Sequence, residues 1–386
     1  MRLLLQLTLA LAAATLLPFS TLRAEDLSGI KLAVIPQCTT QDREVGYTRV
    51  CAELLNQEEI DEVKAMQFDD VITYKAVQDG LILVAKLKKS DLGFFDRPAI
   101  AGEFSTFLEP IGIHFYAIKV RFKGIEKAKL NPSLINFATQ KLVKLNIDGR
   151  DSSERTVVES WPVVLQKLEK NSARYDVMSF PSVKHREEKK VWVFRGRHCL
   201  TTISSCNVIY TADGDIHTFI VNADAAGISL DAFVFVGIQA SDTNRIGELL
   251  KGSDQNSFDA FLRFVVTDLA KTVEHGNKPK SRYAAGYSNG GAWALDALLF
   301  HPEFFDGAIA MSPATWELKS KVNLHKKNIF LGAGELEPGF FKQAEKCVEI
   351  VQDLGAQVET RYSKSGHSMN TWVPIWNMAL KHLNEN

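Results

Sequence analysis

Ser288 lies in the run Gly286-Tyr287-Ser288-Asn289-Gly290, a G-x-S-x-G pattern that continues into Gly291. A serine hydroxyl is a weak nucleophile, so attack on a carbonyl needs a base to take its proton and donors to stabilise the oxyanion that forms. The residues before it, "SRYAAGY", read as a short strand, and those after it, "GGAWALDALLFH", read as a helix. A sharp strand-to-helix turn projects such a serine from a strained backbone and tolerates only small neighbours. Gly286 and Gly290 are those neighbours, and the backbone N–H of Asn289 stands at the helix N-terminus, where it would face an oxyanion. A plain glycine-rich turn has the same letters, but not this placement between a strand and a helix.

Where such a serine is catalytic, its partners follow in the order serine, acid, histidine. His367 sits in "YSKSGHSMNTW", after the strand-like "VETRY" and before a terminal helix, which is the loop from which a base is presented. The other histidines fall in helices, in connectors or ahead of the serine. The acid is expected in "IFLGAGELEPGF", past the end of a strand. Glu337 has the reach of a loop residue that folds back, and Glu335 stands open as the alternative. The second oxyanion donor is expected after "FVFVGI", from the N–H of Gln239 or Ile238. Tyr287 and Trp316, beside the serine and after "SPA", are candidates for contact with substrate.

From Val191 onward short apolar runs ("VWVF", "NVIYTA", "FVFVGI", "RYAAGY", "GAIAMS", "IFLGAG", "VETRYS") alternate with amphipathic helical stretches. That alternation predicts an α/β domain with a doubly wound, mostly parallel sheet, whose sites lie at the carboxyl ends of the strands. Residues 25–185 read as a smaller strand-rich α+β domain, with strands in "DDVITYKAV", "LILVAKL" and "IHFYAIKVRF" and helices in "RVCAELLNQEEIDEVKAM" and "WPVVLQKLEK". No motif in it carries chemistry. The charged stretch "SVKHREEKK" reads as a connector, which places the catalytic domain at 186–386.

At 386 residues the chain is long enough for two cores. A formal charge of −1 and the absence of basic blocks exclude nucleic acid and anionic membranes as expected partners. Residues 1–24 have the layout of a secretory signal: Arg2, an apolar run too short to span a bilayer, then Pro18 and Ala24. Export is therefore expected, to the periplasm or beyond, and it permits disulfides. Cys199 with Cys206 and Cys38 with Cys51 are plausible pairs that leave Cys347 over. The alternative is five buried thiols. No cysteine or histidine spacing resembles a metal site, and the chemistry requires neither metal nor cofactor.

Taken together, "VIYTADG", "VFVGIQASDTNR", "GYSNGGAWALDALLFHPEFFDGAIAMSPATW", "GAGELEP" and "SGHSMNTW" resemble the esterase D family of α/β-hydrolases, which includes enterochelin esterases. The likeness runs from Val191 to His382. It implies Ser288 as nucleophile and His367 as base, supports Glu337 less firmly, and implies a cleft position for Trp316. Residues 25–185 have no match in this likeness. The expected activity is hydrolysis of a small-molecule or acylated-saccharide ester, with acyl transfer on the same residues and a non-catalytic binding role as rivals. A further reading gives residues 25–185 to the docking of a protein partner, in which case their deletion would spare small-ester turnover.

Overall fold

The computed structural model describes residues 35–67, 70–92, 97–125, 128, 130, 132–136, 141–145, 147, 161–181, 188–214, 216–241, 243–314 and 322–385. The leader-like residues 1–24 lie outside them. The chain divides into two compact units. One comprises Met1–Glu154 with Gly334–Pro338 and Ser363–Asn370, and the other Arg155–Ala333, Gly339–Tyr362 and Thr371–Asn386.

The first unit carries two antiparallel sheets. In one, β1 (Cys51–Glu53), β7 (Phe115–Arg121), β3 (Gly80–Lys86) and β2 (Ile72–Val77) lie in that order, with β6 (Glu109–Gly112) also on β7. In the other the order is β5 (Thr106–Phe107), β4 (Ala99–Ala101), β8 (Ser133–Asn136) and β9 (Lys141–Lys144). The helical pattern expected from Arg49 resolves into β1 followed by a helix at Gln57–Ala65. The helix starts at Asn56, whose side chain accepts from the Glu59 N–H at 2.9 Å while Glu59 caps the Asn56 N–H in return. That reciprocal cap is a strong start signal, and it stops the helix from running back into the strand.

The second unit is built on one eight-stranded sheet. Its order is β10 (Arg174–Pro181), β11 (Glu188–Arg195), β13 (Phe233–Ile238), β12 (Asn207–Ala212), β14 (Ser281–Tyr287), β15 (Gly307–Met311), β16 (Asn328–Gly334) and β17 (Gln357–Ser363). The sheet is mixed. Pairs β13–β12, β12–β14, β14–β15 and β15–β16 are parallel, whereas β10–β11 and β11–β13 are antiparallel. The expected domain start at residue 186 does not match this sheet, because β10 and the helix Trp161–Lys170 already belong to the second unit.

The central strands are buried throughout, as strands covered on both faces must be. On one face Val208, Tyr210, Val234 and Val236 join a core with Trp293, Phe258 and Phe261 of helices. On the other, Phe235 lies 5.4 Å from Trp376, which in turn stacks on Phe219 at 4.7 Å. One buried polar group ties the serine's strand to its neighbour. Glu274 accepts from the Tyr210 hydroxyl at 2.8 Å and from Arg282 Nε and Nη2, each at 2.8 Å. Burial pushes the Tyr210 hydroxyl well above its usual range, so it stays a donor to that carboxylate.

Cys38–Cys51 and Cys199–Cys206 are disulfides, and Cys347 is free and buried. Burial raises the Cys347 thiol to about 12, which removes the thiolate that reacts with disulfide reagents. The native protein should therefore give no rapid reaction with Ellman's reagent, and one thiol per chain after unfolding without reductant. More than one thiol on unfolding would show that a disulfide is missing.

Candidate active site

Ser288 follows β14 and stands at the N-cap position of the helix Asn289–Phe300, with φ 56° and ψ −120°. This is a backbone state that costs an L-residue about 1–3 kcal/mol and persists only where the surroundings enforce it. They do so here through the backbone. The Ser288 N–H donates to the Met311 carbonyl at 2.9 Å, and its own carbonyl accepts from the N–H groups of Gly291 at 3.0 Å and Ala314 at 2.9 Å. A Cβ on Gly286 would lie 2.4 Å from the Gly290 carbonyl, and one on Gly291 would lie 2.9 Å from the Met311 oxygen. Both glycines are therefore required by close approach of chain to chain. Ser288 itself is 4% exposed.

Asn289 is the first residue of the helix, so its N–H has no acceptor within the helix and carries the positive end of the helix dipole. The other expected donor is placed differently. Gln239 already donates its N–H to the Lys190 carbonyl at 3.0 Å, continuing the ladder between β13 and β11. Moreover, β12 separates β13 from β14, so the loop beside the serine turn is the one that follows Ala212. A Cβ on Gly290 would meet Ala212 Cβ and Asp213 Oδ2, each at 3.2 Å. Asp213 and Gly214 both lie in the left-handed region, at φ 69° and 77°. The Asp213 carboxylate holds Arg245 through two bonds of 2.5 and 2.6 Å. Burial works against the Arg245 charge, and the Asp213 carboxylate more than offsets it, so the arginine pKa stands above its usual value. The Asp-Gly step after a strand was the local signal for this turn.

His367 and Glu337 are brought together. The imidazole Nδ1 is 2.5 Å from Glu337 Oε2, and the other carboxylate oxygen accepts the Gly334 N–H at 2.6 Å. Glu337 is buried and His367 is half-buried, with side-chain exposures of 4% and 10%. A carboxylate at Nδ1 fixes the tautomer that carries the proton there and leaves Nε2 as the basic nitrogen. Glu335 is not part of this pair. Its N–H donates to the Ser363 carbonyl at 2.9 Å, and Leu336 does the same to Ser365 at 3.0 Å, so the two loops lie edge to edge.

Of the residues expected to touch substrate, Tyr287 is 2% exposed and its ring stacks on Trp372 with centroids 4.1 Å apart. It underpins the turn from within the core instead of lining a cleft. Trp316 lies outside the described residues. Among the described residues no group of three or more His, Cys, Asp or Glu side chains could hold a metal, and no helix is long and apolar enough to cross a membrane.

The family described as putative esterase matches residues 190–380. No curated protein matches the chain. Among solved structures, the enterobactin esterase of Shigella flexneri, determined with enterobactin, is 14% identical with a TM-score of 0.56, over 81% of this chain and 96% of that one. The ferric enterobactin esterase of Salmonella typhimurium is 12% identical with a TM-score of 0.56, over 82% of this chain and 98% of that one. At such identities the likeness is one of fold.

Proposed function

Residues 190–380 match the putative esterase family, and from that premise we propose that the chain is a serine ester hydrolase whose catalytic triad is Ser288, His367 and Glu337 on an α/β-hydrolase sheet. His367 Nε2 takes the Ser288 proton as Oγ attacks the ester carbonyl. The oxyanion is stabilised by the Asn289 N–H and by the Asp213–Gly214 turn. The imidazolium then protonates the leaving alkoxide, the alcohol departs, and an acyl-serine remains. Water, deprotonated by His367, attacks that acyl group, releases the carboxylic acid and restores the serine. The observation that carries this reading is the His367–Glu337 bond, which sets a carboxylate against Nδ1 and so orients the imidazole as a base.

The enterobactin esterases that share the fold suggest the substrate class, an ester of the siderophore-lactone kind. Export is supported by the leader-like run at residues 1–24 and by the two disulfides. The test is labelling with a fluorophosphonate, followed by digestion and mass mapping. A single adduct on Ser288, together with hydrolysis of p-nitrophenyl acetate, is the expected result. Labelling elsewhere, or none, overturns the triad. Hydrolysis of acetyl esters with no turnover of a catecholate trilactone would keep the triad and remove the siderophore assignment.

A further inference from the structure

The two loops that carry the base and the acid belong to the same compact unit as the N-terminal residues, and they are fastened to it on both sides of His367. On one side Gly366 lies so close to Glu103 that a Cβ there would sit 1.8 Å from the Glu103 carbonyl oxygen and 2.3 Å from its Cα. Glu103 is itself 2% exposed, so this is contact with fixed backbone and not with a side chain that could swing away. Lys364 donates to the Lys123 carbonyl at 3.2 Å, and Asn370 reaches Glu103 Oε1 at 3.5 Å. In the acid loop, Leu336 is 1% exposed and belongs to the hydrophobic core that includes Ile100, Phe104, Leu108 and Leu134. The backbone bonds from Glu335 and Leu336 to Ser363 and Ser365 then join the two loops, with the His367–Glu337 bond at their end.

We infer that the N-terminal residues are the seat of the base–acid pair, and that Gly366 and Leu336 are positioning residues acting through His367 and Glu337. The inference rests on the reading of His367 as base. It assigns the strand-rich unit a part in turnover of every ester, small ones included, and so opposes the expectation that residues 25–185 could be deleted without loss. A methyl group at 366 must push the chain away from Glu103 by roughly 1 Å, and a misplacement of that size in a catalytic group costs about 10²-fold in rate. Truncating Leu336 leaves a cavity directly beside Glu337, with the same consequence for the carboxylate.

The experiment compares Gly366→Ala, Leu336→Ala and Leu336→Met with wild type in the full chain, using p-nitrophenyl acetate. Folding is checked by cooperative thermal unfolding. The expected result is a fall in kcat of about 10²-fold for the first two, with KM within about threefold, and recovery in Leu336→Met, because the substrate contacts are untouched. A second readout needs no turnover: the strongly deshielded Nδ1 proton of His367 in the NMR spectrum, assigned by its absence in His367→Gln. Its loss in Gly366→Ala and Leu336→Ala is expected, and its return in Leu336→Met. Wild-type kcat and an unmoved Nδ1 proton in both folded variants would overturn the inference. Should Gly366→Ala fail to fold, the two Leu336 variants decide alone. Should wild type hydrolyse no ester, the proposed function fails while the NMR signal still tests the positioning.

Discussion

Ser288→Ala should lower kcat for p-nitrophenyl acetate by about 10⁴–10⁶-fold while leaving the protein folded. The size follows from what the hydroxyl alone supplies. Without it no acyl-enzyme forms, and the remaining acceleration comes from the oxyanion donors and from binding. The retention of structure follows from how residue 288 is held. Its bonds to Met311, Gly291 and Ala314 run through backbone atoms, and alanine keeps them all. Alanine also meets the same cost at φ 56° as serine does, so the melting temperature should change little. Burst-phase release of p-nitrophenol should vanish with the steady-state rate. A folded variant that keeps more than a tenth of wild-type kcat would show that another group is the nucleophile.

The serine turn was legible in the sequence because its demands are local. Small residues at fixed offsets, a short apolar run before and a helix after can all be read within twenty or so positions, as in any strand-to-helix elbow. The loops of Glu337 and His367 were legible for a similar reason, since each follows a strand-like run. What could not be read was spatial order. The chain makes β12 before β13, yet β12 lies beside the serine's strand, so the turn at Asp213 and not the one at Gln239 faces the elbow. No local pattern encodes that crossover. The edge strand β10 was hidden for another reason. Its residues alternate between exposed and half-buried, and an exposed antiparallel edge lacks the continuous apolar run that marks the central strands. The choice between Glu335 and Glu337 turned on the curl of one loop, where the Gly334 N–H draws the later carboxylate inward. The dependence of both loops on Glu103 and on the N-terminal core joins residues more than 200 positions apart, as in the pairing of Asn370 with Glu103, and no sequence periodicity reports it.

Glu337→Ala should lower kcat by about 10²–10⁴-fold, and Glu335→Ala by no more than a few-fold. The two acids are separated by one residue, yet only Glu337 has both oxygens committed, one to His367 Nδ1 and one to the Gly334 N–H. Removing that carboxylate frees the imidazole to rotate and to take the wrong tautomer, and it leaves the imidazolium formed during acyl transfer without its counter-charge. Glu335 contributes to the loop pairing through its backbone N–H, which alanine retains. Glu337→Gln separates charge from shape. The amide fills the same volume but offers one acceptor oxygen where two donors converge, so it must leave either Nδ1 or the Gly334 N–H facing an NH₂ group. It should therefore lose nearly as much rate as alanine while unfolding closer to wild type. KM should stay near its wild-type value in all three variants, since none of them is placed against substrate. A larger loss in Glu335→Ala than in Glu337→Ala would transfer the role to the other carboxylate, and full activity in both would mean that His367 is oriented without an acid.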